Sequence, residues 1–284
     1  MNTSRHTQLI VLLLVFILVG SLLSAKFNGN VQLSMTYSDN AFQLSQFDLQ
    51  RNENGHPDMQ FVESADDIIF DTRINGFYDT AWRWWQIQPS MQINASENLL
   101  NTDKSKADFI AGVSVKRMFG DLGLYYGYSP DNYIRHYKDS DGTGMQEKYS
   151  FTKNLYKAAL NIRPVNKSTV SLEYRLEEYF YNKYFTEFDG DIETWMLGFR
   201  QFFQTFYFSA SYGYRVYETE KGVSVDNSED ASYESNIYGV GLLIKKMPLD
   251  PKYPSVYWRP ELNLRFEQRY FQGGDDWHRG RTDN

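Results

Sequence analysis

The sequence predicts an all-β protein, an antiparallel up-and-down transmembrane β-barrel of about 12 strands. Three observations carry this expectation. Nearly every regular segment alternates apolar and polar residues with period two, the repeat of a strand facing two different environments. Aromatic residues make up 17% of the chain, with 22 Tyr, 20 Phe and 6 Trp, although the mean hydropathy is only −0.56. The connections between the segments alternate between short and long. A soluble core would lean on Leu, Ile and Val. A helical membrane bundle would need long apolar runs. A barrel strand instead turns apolar residues to lipid and polar ones to the lumen, with aromatic girdles at both interfaces.

Residues 1–25 read as a signal peptide. Met1 to Gln8 is short and polar and holds Arg5; Leu9 to Leu23 is apolar but for Gly20 and Ser21; Ser24 and Ala25 are small exit residues before Lys26. The apolar run is short of the roughly 20 residues a spanning helix needs, which disfavours the competing reading, an uncleaved anchor. There is no cysteine, so neither lipidation after the run nor a disulfide framework is expected. Residues 26–284 read as one domain, since no linker rich in Pro, Gly or Ser divides them.

About eleven strands follow, read from their alternation. Val31, Leu33, Met35 and Tyr37 define the first; Phe70, Thr72, Ile74 and Tyr78 the second; Trp85, Ile87, Met91 and Ile93 the third. Phe109 to Val115 makes a fourth, and Leu124, Tyr126 and Tyr128, running on to Tyr137, a fifth. Tyr156 to Ile162, Val170 to Leu176, Trp195 to Phe203, Phe208 to Tyr214 and Tyr238 to Ile244 continue the series. The last runs from Trp258 through Leu262, Leu264 and Phe266. No helical stripe is expected after residue 25.

Loop lengths follow the barrel rule of short periplasmic turns and longer external loops. Long connections fall at 40–66, 96–107, 139–147, 182–191 and 219–234; short turns fall at 79–81, 119–121, 164–167 and 204–205. The connection 247–255 is intermediate and fits least well. An odd strand count leaves 272–284 at the external end, whereas single-chain bacterial barrels have even numbers. The expectation is a C-terminal truncation that removes the closing strand; the alternative is a miscount, with ten or twelve strands already closing.

The leader, the alternating strands and the loop parity together resemble the Gram-negative outer-membrane β-barrel class, with no family assigned within it. The resemblance implies a cell outer membrane localisation, with lipid and lipopolysaccharide as partners. It also implies the barrel-assembly machinery during insertion. A net charge of −7 argues against nucleic acid. No cofactor is expected, and the oligomeric state stays open.

The polar phases place Asp71, Arg73, Arg135, Lys157, Arg163, Glu173, Arg175, Arg215, Arg259, Glu261, Arg265 and Glu267 in the lumen. Two readings stand. A ladder of arginines would make a porin-like channel that prefers anions. Charges of both signs on one strand would instead pair and fill a structural barrel. Catalysis is the alternative class, as is a secreted soluble β protein. No HExxH, GxSxG or phosphate loop occurs. Asp139 and Asp141, with Asp276 and His278, imitate the Asp–Asp and Asp–His rim pairs of omptin-like outer-membrane proteases, which would make the chain a barrel-embedded hydrolase. Asp139, Asp141 and Gly142, and Asp189 with Asp191, carry oxygens as calcium loops do, but without a closing Glu; no metal is expected. Aromatics such as Trp82, Trp84, Trp85, Tyr179 and Phe180 fall near strand ends, as an interface belt requires.

Overall fold

The computed structural model describes residues 26–59, 61–62, 64–139, 143–219, 232–248, 257–271 and 282–283. The signal peptide at 1–25 lies outside the described residues, as do Asp141, Gly142, Asp276 and His278.

The chain folds as β1 (Lys26–Ser38), a helix α1 (Gln46–Glu53), β2 (Asp67–Trp82), β3 (Trp85–Asn98), β4 (Lys106–Arg117), β5 (Gly120–Lys138) and β6 (Gln146–Ile162). There follow β7 (Ser168–Tyr181), β8 (Gly190–Phe202), β9 (Phe206–Thr219), β10 (Tyr233–Ile244), β11 (Met247–Pro248), β12 (Tyr257–Trp258), β13 (Glu261–Phe271) and β14 (Thr282–Asp283). β11 and β12 form a small separate ribbon. Every other strand joins one antiparallel sheet whose order follows the sequence, β1 to β10, then β13 and β14. The eleven long strands run from 11 to 19 residues, enough to span a bilayer at a tilt. Among the described residues β1 pairs only with β2, and β13 meets β14 at Arg269↔Asp283 and Tyr270↔Thr282.

Three expectations need correction. The turn at 79–81 lies further on: β2 continues to Trp82, and Arg83 and Trp84 make the turn, with Arg83 at φ 57. Cross-strand pairing of Trp82 with Trp85 extends the hairpin to that point. Trp258 belongs to β12, and Arg259 stands outside the β13 ladder, which begins at Glu261 after Pro260. Proline has no amide hydrogen to give to a ladder. The loop 40–66, expected to be irregular and polar, holds α1 and a small apolar core.

The chain divides into two compact units. The first comprises Met1–Lys116, Tyr125–Asn154 and Tyr181–Phe185; the second comprises Arg117–Leu124, Leu155–Phe180 and Thr186–Asn284.

In the first unit the register sorts residues strictly by face, because directly opposed residues share a side. Val31 opposes Ile74, which opposes Ile93, which opposes Phe109. Leu33, Met35, Ile87, Met91 and Val113 join that face. It is exposed at β1, where Leu33 is 73% exposed and Val31 64%, while Met91 and Phe109 on the same face are buried.

The loop core of this unit has a local cause. Ser45 caps α1, its hydroxyl accepting from the Asp48 amide at 3.1 Å. Eight residues are too few for a helix to persist alone. Phe42, Leu44, Met59 and Val62 hold it by packing on Tyr133 of β5. Asp67, fully buried, ties in the next loop. Its carboxylate accepts from the side chains of Asn98 and Asn101 at 3.1 and 2.9 Å, and from the amides of Leu100 and Asn101 at 3.0 Å.

The second unit repeats the two-faced plan. Leu172, Leu197, Tyr212, Tyr238 and Phe266 form one continuous apolar row across β7, β8, β9, β10 and β13. Leu197 is 53% exposed.

Candidate functional site: the polar face of the sheet

The polar face differs between the units. In the first it is built mainly of amides and hydroxyls. One row runs Gln32, Arg73, Asn94, Asp108 across β1 to β4, and the next runs Ser34, Asp71, Ser96, Lys106. These residues line a cavity of about 250 Å³. Arg73 Nε donates to Asn94 Oδ1 at 3.1 Å, and Gln92 donates to the same oxygen at 3.0 Å. Toward the short turn, Asp79 accepts from Asn28, Gln86 and Gln88, while Lys116 donates to Gln88 at 2.6 Å.

In the second unit the polar face is built of ion pairs. Glu267 accepts from Arg269 Nε at 3.0 Å and from Arg215 Nη1 at 3.2 Å on one oxygen, and from Arg265 Nη2 at 3.3 Å on the other. Glu173 meets Lys157 at 2.7 Å and Arg175 at 3.0 Å. Between Glu267 and Glu173 stand Ile237, Gly213 and Met196, and the next row is small or hydroxylated. Gly198 opposes Ser171 and Ser211, and Gly239 opposes Ser211 and Arg265. A Cβ on Gly198 would overlap Ser171 Oγ, so a larger residue there requires that hydroxyl to turn away.

The remaining predicted residues stand apart from these clusters. Arg135 lies in the outer part of β5, beyond Asp131 with its left-handed φ of 47. Its guanidinium sits 4.6 Å over Tyr137 and lines a surface pocket with Phe61 and His136. Arg163 lies just past β6 and is held at 2.9 Å by Asp121, at the start of β5. Glu261 opens β13 and accepts from Asn263 at 2.7 Å. Arg259 is exposed, outside the ladder.

Sequence reasoning missed Arg269, Arg200, Lys106 and Asp108 on the same face. The signal was present: Arg269 stands two residues beyond Glu267, in its phase, within a strand expected to end near Tyr270.

The short turns of the second unit carry cations stacked on aromatics. Arg117 lies over Phe119 at 5.4 Å, and Lys167 and Lys245 both lie over Phe202, at 5.6 and 4.5 Å. Phe203 stacks on Phe206 at 4.6 Å.

At the long-loop end of the first unit, burial and the nearby cations Lys106 and Arg135 push the Lys104 ammonium below the usual lysine range. It sits 4.5 Å over Phe42. Asp66 is held below the usual carboxylate range, first by the Ser64 hydroxyl that donates to it.

Asp139 is buried, and its carboxylate accepts from the Thr143 amide at 2.7 Å, shaping its own loop. Among the described residues no three His, Asp or Glu side chains gather as a metal group. No family model matches the chain, and no curated protein matches it.

Proposed function

We propose that the protein is an outer-membrane β-barrel, exported by its N-terminal leader, with a charge-paired polar lumen and a porin-like role in passing small solutes. One observation carries this reading: the register keeps one face apolar, with long exposed rows, and the other mainly polar and bonded, from β1 to β4 and again from β7 to β13. Water offers no reason to bare Val31, Leu33, Leu197 and Leu264 in continuous rows, whereas hydrocarbon does. Backbone in hydrocarbon must be fully paired, so the reading includes closure of the sheet at its two ends. The charge pairs around Glu173 and Glu267 are what a lumen needs to hold carboxylates and guanidiniums side by side.

The test is fractionation followed by gel migration. The full chain is expected in washed outer membranes and to migrate differently before and after boiling. A protein that stays in the soluble fraction sinks the membrane reading. Membrane association without a heat-dependent shift sinks closure. Single-channel recording then separates a conducting pore from a structural barrel.

A further inference from the structure

One transverse row of the second unit has a pattern of its own. Reading straight across β13, β10, β9, β8 and β7, the opposed residues are Arg269, Ser235, Arg215, Thr194 and Arg175. Guanidinium and hydroxyl alternate over five adjacent strands. The next row toward the short turns is Glu267, Ile237, Gly213, Met196 and Glu173. It places a carboxylate only at its two ends. Beyond it lie Arg265, Gly239, Ser211, Gly198 and Ser171.

The charges do not cancel. Glu177 stands on the other side of Arg175 in the same phase, so around the row five cations, Arg175, Arg215, Arg265, Arg269 and Lys157, meet three carboxylates, Glu173, Glu177 and Glu267. Each guanidinium carries five N–H donors in a fixed fork, more than one shared carboxylate can accept. Arg175 Nε is buried and has no hydrogen-bond partner among the described residues. Arg215 Nε is bonded to the Thr194 hydroxyl at 3.2 Å, which orients its fork. Gly213 lies directly beside Arg215, between Ile237 and Met196, and one row further on Gly239, Ser211, Gly198 and Ser171 keep the face low.

Resting on the barrel reading above, we propose that the Arg175–Thr194–Arg215–Ser235–Arg269 row is a binding element for small oxyanions, of the class of inorganic phosphate and carboxylate solutes. The carboxylates of Glu173 and Glu267 hold the guanidiniums in place without neutralising the row. A passing anion exchanges its water for arginine and hydroxyl donors, and a cation meets an excess of like charge.

The test uses the full chain folded in a neutral, phosphate-free detergent, so that no lipid headgroup supplies the anion. Inorganic phosphate is titrated and followed by phosphorus NMR line broadening. The wild type is expected to broaden the signal saturably. Arg215→Gln and Arg175→Gln should each weaken phosphate roughly tenfold, the loss of a charge-assisted hydrogen bond. Arg215→Lys, which keeps the charge beside Glu267, should keep part of the affinity. Arg51→Gln, on α1, should change nothing. Each variant is checked for its heat-dependent gel shift. Absent broadening in the folded wild type, or equal broadening in all variants, overturns the proposal. Planar-bilayer reversal potentials supply the second arm: anion preference is expected, reduced in Arg215→Gln. A cation-preferring pore overturns the row's role. Phosphate binding without any conductance leaves the row standing and removes the channel.

Discussion

The two units solve the same problem with different chemistry. Both carry exposed apolar rows on one face and must satisfy polar groups on the other. The first unit does so with amides that bridge its charged groups: Asn94, Gln92, Gln88 and Gln86 donate and accept in turn toward Arg73, Asp79 and Lys116. The second does so with charge, setting three arginines on Glu267. Bonds that run through an amide, even where they end on Arg73, Asp79 or Lys116, are less sensitive to salt than direct ion pairs. The contrast teaches that face alternation sets where a polar group goes but not what kind it is.

The contrast should break most sharply at Glu267. Glu267→Gln leaves three guanidiniums without their shared carboxylate. Breaking a buried pair costs about 3–5 kcal/mol, and the exposure of Arg265 reduces this to about 2–3 kcal/mol. Denaturant unfolding of the detergent-folded chain should read that loss, and phosphate should bind more tightly to the variant. A neutral effect on stability would mean that the pairs do not hold the second unit together.

Next in size is Gly198→Val. Its Cβ would overlap Ser171 Oγ and force that side chain to turn, so a loss of about 1 kcal/mol is expected. Retention of wild-type stability would show that the low row is not packed.

Asn94→Ala removes one acceptor shared by Arg73 and Gln92 and should cost about 1 kcal/mol. The sharpening measurement is salt. Raising it should leave the Asn94→Ala difference in place while shrinking that of Glu267→Gln. Equal salt sensitivity would erase the distinction between the units.

The smallest effect concerns Lys104. Its folded pKa is depressed, so the folded chain releases the proton at a lower pH than the unfolded chain does. Between those values the unfolded state binds more protons, and stability rises with pH up to the usual lysine range. Below that window a constant penalty remains. Lys104→Met should flatten the rise; an unchanged pH profile would assign it elsewhere.

Much of this was legible in the sequence. Each of the eleven long strands announced itself by alternation, because a strand between two unlike environments has no other way to be written. The phases of Arg73, Glu173, Arg175, Arg215 and Glu267 were legible for the same reason. Their grouping was not. Which arginine stands opposite which serine depends on register, and register depends on turn positions such as Arg83 and Trp84, whose misplacement by a few residues scrambles every row. The α1 loop was hidden too. Phe42, Leu44, Met59 and Val62 follow no period, since they converge from irregular backbone onto Tyr133.

The strictly sequential strand order also bears on how the chain reaches its fold. Every pairing in the sheet joins neighbours in the chain, so each new strand closes only the loop before it. Assembly can advance hairpin by hairpin, each step local and quick. The two ends of that order differ from its middle: among the described residues β1 pairs with β2 alone, which leaves the other edge of Val31, Leu33 and Met35 as the stretch most prone to recruit a wrong partner. The closure proposed above would join positions nearly the whole sequence apart, and it would be the slowest step of assembly.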